Sequence, residues 1–412
     1  MSEDTKESGP GGDPLAQFLR ERERDTPEGQ AYEAAEHLRL GNDGLERACK
    51  ACGESVAVHR RTRRGGNGDE LSYGEIVALS GDFYVDPDAL FDEEYSRLPW
   101  LTGDNDIPKL RKIFASELTW LTGEEVIYPD NNLVFWWSAK NYLELARDNV
   151  VHFGWHNVLA YCRHHEAALA LAVRARATGD EALWRRAIYT NGFADHFLTD
   201  GFAAGHIRVP RAQTRAWARA TGRSDTLAGA LSMLIHDQDG HITTIHGVKR
   251  HEHPETDALR VCNSRGESWY TRCDGQLVLG KGSGPAYEQP VAAVAASCEE
   301  LLRAYRQGEA AIPPGIFAAL EHVPFPHPEL EPLSEKFSPT MDDARLDQLM
   351  DSVRWYSKIP WIGPGLNREH MLAYLEALPD IMRQFREDVG ATPLPTPTRI
   401  PQPYIDAFRR IA

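Results

Sequence analysis

Two consecutive runs, residues 153–178 and 181–204, carry apolar residues at three- and four-residue steps and are separated only by Gly179-Asp180. That spacing puts the apolar side chains of each run on one face of a helix, and so short a break predicts a helical hairpin. Two long helices joined this tightly must bury their stripes against further helices, and the rest of the chain supplies them. Helical patterns recur over 30–60, 105–121, 138–148, 225–237, 284–308, 341–357 and 368–388. Only 240–282 changes texture, with alternating β-formers around "SRGE" and "CDG" that predict an inserted hairpin. The expected fold is mainly α, with a small β-hairpin insertion. Its divisions are a disordered leader over 1–28, a helical core over 29–240, the insertion over 241–282, and C-terminal helices with an extended Pro-rich tail over 283–412, packed on the core.

Composition narrows the function. Of 412 residues, 42% are hydrophobic, enough for a sizeable core, yet no stretch approaches the ~20 apolar residues of a membrane span. The opening "MSEDTKESGPGGDP" has no apolar signal core, so a cytoplasmic location is expected. A formal net charge of −16 argues against a grip on duplex nucleic acid, which needs clustered cations for its phosphates. The basic run "HRRTRRGG" (59–66) is a local exception and is expected to be a solvated loop. Six cysteines in such a chain predict no disulfide framework, and "CKAC" (49–52) has no second CxxC to complete a zinc ribbon.

The chemistry is concentrated in "FADHFLTDGFAAGHIR" (193–208). His196 and Asp200 stand one helical turn apart and share a face, and Gly201 and Gly205 loosen the backbone before His206. Such a triplet is either a hydrogen-bonded polar cluster in a helical core or part of a metal site. Further candidates fall in helical settings at the ends of apolar runs: His152 in "NVVHFGWHN", His236 and Asp239 in "IHDQDG" with Asp237 as an alternative, Asp82 in "LSGDFY", and His37 in "AEHLRLGND". His164 and His165 lie mid-helix and are expected to face solvent, and the histidines of 241–253 sit in a polar loop.

In order and spacing, His196-xxx-Asp200-xxxxx-His206, preceded by "HF" at 152–153 and followed by a His-plus-acid pair, resembles the zinc-dependent phospholipase C and single-strand nuclease superfamily. The likeness covers roughly residues 37–240, and the segments "HFLTDGFAAGH", "HDQDG" and "RGESW" together resemble an uncharacterised bacterial branch of it. The resemblance implies a helical phospholipase C-like core holding two or three zinc ions. Asp82, His152, His196 and Asp200 would hold the first, His206, His236 and Asp239 the second, and His37 with a bridging Asp200 the third. Two departures bear on this set: the acidic leader replaces the N-terminal Trp that completes the family's third position, and Gly240 stands where the acid four residues after the second His is expected.

The resemblance further implies a metal-dependent hydrolase of phosphate esters, acting on a small-molecule or lipid phosphodiester. Asp82 would orient water as general base, and Arg208 and Arg211 would clamp phosphate oxygens through their planar forks. The alternatives are non-phosphate chemistry of secondary metabolism on the same metals, and a non-catalytic metal-stabilised scaffold. An HD-type phosphohydrolase reading of His236-Asp237 lacks a later helical Asp.

Overall fold

The computed structural model describes residues 34–65, 69–92, 105–122, 145, 149–240, 242–245, 248–251, 259–278, 282–308, 315–353, 366–391 and 399–411. The expected leader and, residue 145 apart, the helix expected at 138–148 lie outside the described residues. The longer helices are α1 (Ala34–Cys52), α2 (Tyr73–Leu79), α3 (Ile107–Leu121), α4 (Trp155–Thr178), α5 (Glu181–Asp200), α6 (Arg211–Ala220), α7 (Asp225–Asp239), α8 (Pro285–Gln307), α9 (Asp343–Val353), α10 (Arg368–Asp388) and α11 (Gln402–Ile411). The fold is mainly α, with small antiparallel β units.

The α4–α5 hairpin forms as its sequence dictates. Gly179 ends α4 in the left-handed conformation at φ +68°, which glycine adopts without steric cost. Asp180 then caps α5, its carboxylate accepting from the Ala182 and Leu183 amides. From Ala187 to Asp200 every residue of α5 is buried, so this helix is enclosed all round. α1, α4 and α8 pack about it, and α2 lies against both α1 and α5. Glycine makes the last contact possible: a Cβ at Gly74 would stand 1.9 Å from the Leu38 carbonyl oxygen, and one at Gly192 2.5 Å from Ile76 Cγ2. A Ser72/Glu75 capping box starts α2, which ends at Ser80 after two turns. The chain then delivers Asp82 to the side of α5.

An enclosed helix must satisfy its own polar side chains. His165 is one partner in that satisfaction and, contrary to expectation, is fully buried. Its ring spans Asn191 Oδ1 at 2.7 Å on α5 and Glu300 Oε2 at 2.9 Å on α8. Asn191 also donates to the Tyr73 hydroxyl at 2.7 Å, and that hydroxyl donates to Asp195 at 2.5 Å. The network fixes α5 against α2, α4 and α8.

The expected hairpin is present as β1 (Leu259–Cys262) and β2 (Ser268–Thr271), antiparallel, with Val261 opposite Trp269. Its "NSRGE" turn is shaped by Asn263 Oδ1, which accepts from the Arg265 and Glu267 amides. Phe325–Pro326 adds a third strand beside β1, and Ile242–Ile245 pairs with Val248–His251 in a separate hairpin. The basic run is not a loop: Arg61–Arg63 pairs with Glu70–Ser72, and buried Arg64 donates to the Leu90 carbonyl at 2.7 Å. The end of the tail is also not extended. After Pro401 the chain forms α11, which buries Tyr404, Ala407 and Phe408 at helical spacing in the same apolar cluster as α1. All six cysteines are free.

Candidate metal centre

Seven of the eight ligand candidates named by the sequence converge. His196 and Asp200 project from α5 as their i, i+4 spacing requires, and His37 reaches them from α1. His152 ends the helical turn Val150–His152 before Phe153 and Gly154, and Asp82 follows Gly81. Asp200 occupies the middle. Its Oδ2 lies 2.8 Å from His152 Nδ1 and 3.7 Å from His196 Nε2. Its Oδ1 lies 3.5 Å from His37 Nε2 and 3.9 Å from His206 Nδ1. Asp82 Oδ1 stands 4.0 Å from His152 Nδ1.

The eighth candidate, Asp239, is elsewhere. It is fully buried in a bidentate pair with Arg208, at 2.7 and 2.8 Å, and Lys336 lies 3.3 Å away. The acid that meets His206 and His236 is Asp274, which no spacing argument had singled out. Its Oδ2 is 2.8 Å from His236 Nε2, and its Oδ1 is 3.4 Å from His206 Nε2. Asp274 stands in a turn closed by Gln276 N on Cys273 O at 3.0 Å, with Gly275 at φ +76°. The turn is docked by the Ala204 amide on the Arg272 carbonyl and by Leu277 N on Glu36 Oε2. The "CDG" signal was visible in the sequence, but only as a hairpin end.

Three groups of side chains can hold a metal ion: His37, Asp82 and His196; His152, His196 and Asp200; and His206, His236 and Asp274. The first two share His196, and an imidazole nitrogen has one lone pair, so the two groups compete for it and count as one position drawn from five donors. The third makes a second position, with Asp200 between the two.

The outward nitrogens support this use. His196 Nδ1 donates to the Val77 carbonyl at 3.1 Å and His206 Nδ1 to the His152 carbonyl at 2.9 Å. His37 Nδ1 meets Thr199 Oγ1 at 2.8 Å, while that hydroxyl donates back to its own helix. His236 Nδ1 faces Asp237 Oδ1 at 3.0 Å. In a neutral ring, a nitrogen that donates to a carbonyl carries the one proton, which leaves the other free to bind an ion on the cluster side, the arrangement seen around metal-binding histidines. Phe153 stacks on His206 at 4.5 Å, and the Arg211 guanidinium lies over the Phe153 ring, 5.0 Å from its centroid. Thus Arg208 is committed to Asp239 and to the Glu331 carbonyl, and Arg211 lies over Phe153. The expected clamp by Arg208 is not supported by its surroundings.

Electrostatics divide the two positions. Burial holds the His37 and His196 imidazoles below their ordinary range, so both are neutral ligands. Burial, with Asp200 beside it, pushes the Asp82 carboxyl well up. At the second position burial opposes charge, but Asp274 and Asp237 outweigh it and lift His236 to about 9. His206 is raised also, by Asp274 and Asp200 against burial. Asp274 is held well below the carboxylate range by the two imidazoles, again against burial.

A raised histidine stabilises the metal-free fold fully below its ordinary 6.5, and the contribution fades as pH climbs toward about 9. The lowered Asp274 contributes above its ordinary 3.8, and the contribution is lost as pH falls. An ion requires bare nitrogens, so its uptake expels protons from His206 and His236. Zinc titrated into metal-free protein at pH 7 is expected to release protons and to bind the second position more tightly as pH rises toward 9. Calorimetry in two buffers of different ionisation enthalpy measures this, and buffer-independent heats would count against it.

These features define a helical protein with buried His/Asp groups able to hold metal ions. No family model matches the chain, and neither a curated protein nor a solved structure matches it. No helix among the described residues is long and apolar enough to cross a membrane.

Proposed function

We propose that this chain is a metal-dependent phosphoester hydrolase of the zinc phospholipase C type, acting on a small-molecule or lipid phosphodiester. The observation that carries the reading is Asp200, one carboxylate facing His152 and His196 with one oxygen and His37 and His206 with the other. A donor set of imidazoles and carboxylates without thiolates suits zinc. When bound, divalent ions would supply positive charge for phosphate oxygens and lower the pKa of coordinated water.

The protein's own groups do the rest. His37, His152, His196, Asp82 and Asp200 hold the inner position, and His206, His236 and Asp274 the outer. Asp82, made more basic by burial beside Asp200, is the group suited, once ionised, to accept a proton from attacking water. Asp274, with 29% of its side chain exposed, marks the side from which solvent and substrate reach the cluster. That opening favours catalysis over a purely structural metal, for which the donors would be closed off.

The test is hydrolysis of bis(p-nitrophenyl) phosphate and p-nitrophenyl phosphorylcholine by zinc-loaded protein. Turnover is expected, lost in chelator and restored by zinc. Asp274→Ala is expected to lower kcat by roughly 10³-fold, the several kcal/mol that one ion supplies to transition-state charge. Bound zinc without turnover of any phosphoester would favour the metal-stabilised scaffold instead.

A further inference from the structure

The Arg208–Asp239 pair lies outside the ligand cluster, yet each partner is bound through the chain to one histidine of the outer position. Arg208 follows His206 by two residues, and Asp239 follows His236 by three, within the last turn of α7. Both side chains are nearly inaccessible. A third segment grips them. Lys336 Nζ reaches Asp239 Oδ1 at 3.3 Å and the Gln238 carbonyl at 2.9 Å. Arg345 donates to Gln238 Oε1 at 2.8 Å, and the Glu331 carbonyl accepts from Arg208 Nη1 at 2.6 Å.

The two positions differ in what holds their ligands. His196 and Asp200 sit on a long enclosed helix. His206 sits in the four-residue turn Ala204–Ile207 and Asp274 in a β-turn, neither of which is rigid by itself. The packing leaves little slack, since a Cβ at Gly205 would lie 2.3 Å from His236 Cδ2. A buried bidentate ion pair adds little net stability over apolar packing, but it fixes direction and separation.

We propose that Arg208, Asp239 and Lys336 are positioning residues for the outer metal ion. They hold the His206 turn and the end of α7 at the separation where both histidines meet Asp274. Through them the affinity of the outer ion depends on residues 331–345. The inference rests on the two-position metal reading above.

The test compares zinc stoichiometry and affinity, by competition with a chromophoric chelator, in wild type, Lys336→Met and Arg208→Lys. The outer ion is assigned by its loss in Asp274→Ala. Arg208→Lys keeps the charge and loses the fork, and it is expected to weaken the outer ion by about 10–100-fold, the usual effect of removing a group that orients a metal ligand. Lys336→Met, at the rim, is expected to weaken it severalfold, with the inner ion and the melting temperature of metal-free protein unchanged. Equal weakening of both ions together with lower melting would mean a merely structural role and overturn the proposal. So would an unchanged outer ion in Lys336→Met, which serves also if Arg208→Lys does not fold. Wild type that takes up no zinc would instead refute the metal reading itself, and the inference with it.

Discussion

Asp200→Ala is expected to take the metal content of the purified protein from two or more ions per chain to at most one. The carboxylate touches four histidines on two sides, and no other side chain described at this site does so. Burial alone would raise its pKa, but His196, His152 and His206 outweigh burial and hold it below the carboxylate range. Its charge is therefore present above its ordinary 3.8 and is lost only as pH falls below that value. Removing it would take away the carboxylate proposed to serve both positions and leave the inner one three imidazoles and Asp82. The same change relieves Asp82 of its nearest carboxylate repulsion, so Asp82 ionises more readily in the variant. Elemental analysis of wild type and variant, both purified without added metal, measures the effect. Equal metal in both would remove Asp200 from the centre.

Gly81→Ala is expected to abolish the inner ion by crowding alone, although it changes no ligand. Gly81 has φ +70°, and a Cβ there would stand 2.5 Å from His196 Nε2 and 2.9 Å from His152 Cε1. Two costs add: about 1–2 kcal/mol for a side chain in the left-handed region and about 1–3 kcal/mol for overpacking against enclosed rings. The two imidazoles must turn aside, and on the proposed reading both are ligands of the same ion. Gly179→Ala separates the terms, because its φ is +68° but nothing lies within 4 Å of the added carbon. That control should lose about 1 kcal/mol in denaturant unfolding and keep its metal. If Gly81→Ala bound zinc as wild type does, the inner histidines would not need the positions they occupy here.

Both expectations concern residues that were unequally visible in the sequence. The α4–α5 hairpin was legible because its information is local: apolar steps of three and four, a glycine to stop one helix and an aspartate to start the next. His196 and Asp200 were legible for the same reason, since helical pitch alone puts them on one face. His37, His152 and Asp82 could be proposed from motif order but not placed. What joins them to α5 is packing, including the Gly74 and Gly192 contacts that seat α2.

The second acid shows where local information ends. Asp239 stands one turn from His236, so pitch nominated it, but tertiary packing brought Arg208 to it first, and a buried carboxylate takes the nearest guanidinium. Asp274 is 38 residues from His236 and reaches it only because the β1–β2 hairpin docks on the turn after α5. His165 followed the same logic, a mid-helix histidine whose partners come from α5 and α8. The ending of the tail as α11 was masked by the prolines before it, although Tyr404, Ala407 and Phe408 carry helical spacing. Periodicity, caps and turn residues act between neighbours in the chain, so by itself the sequence determined a helical body, its central hairpin and the α5 half of the site. Which distant carboxylate meets which histidine depends on how already-formed elements pack and neutralise one another's charge, and only the tertiary structure decided that.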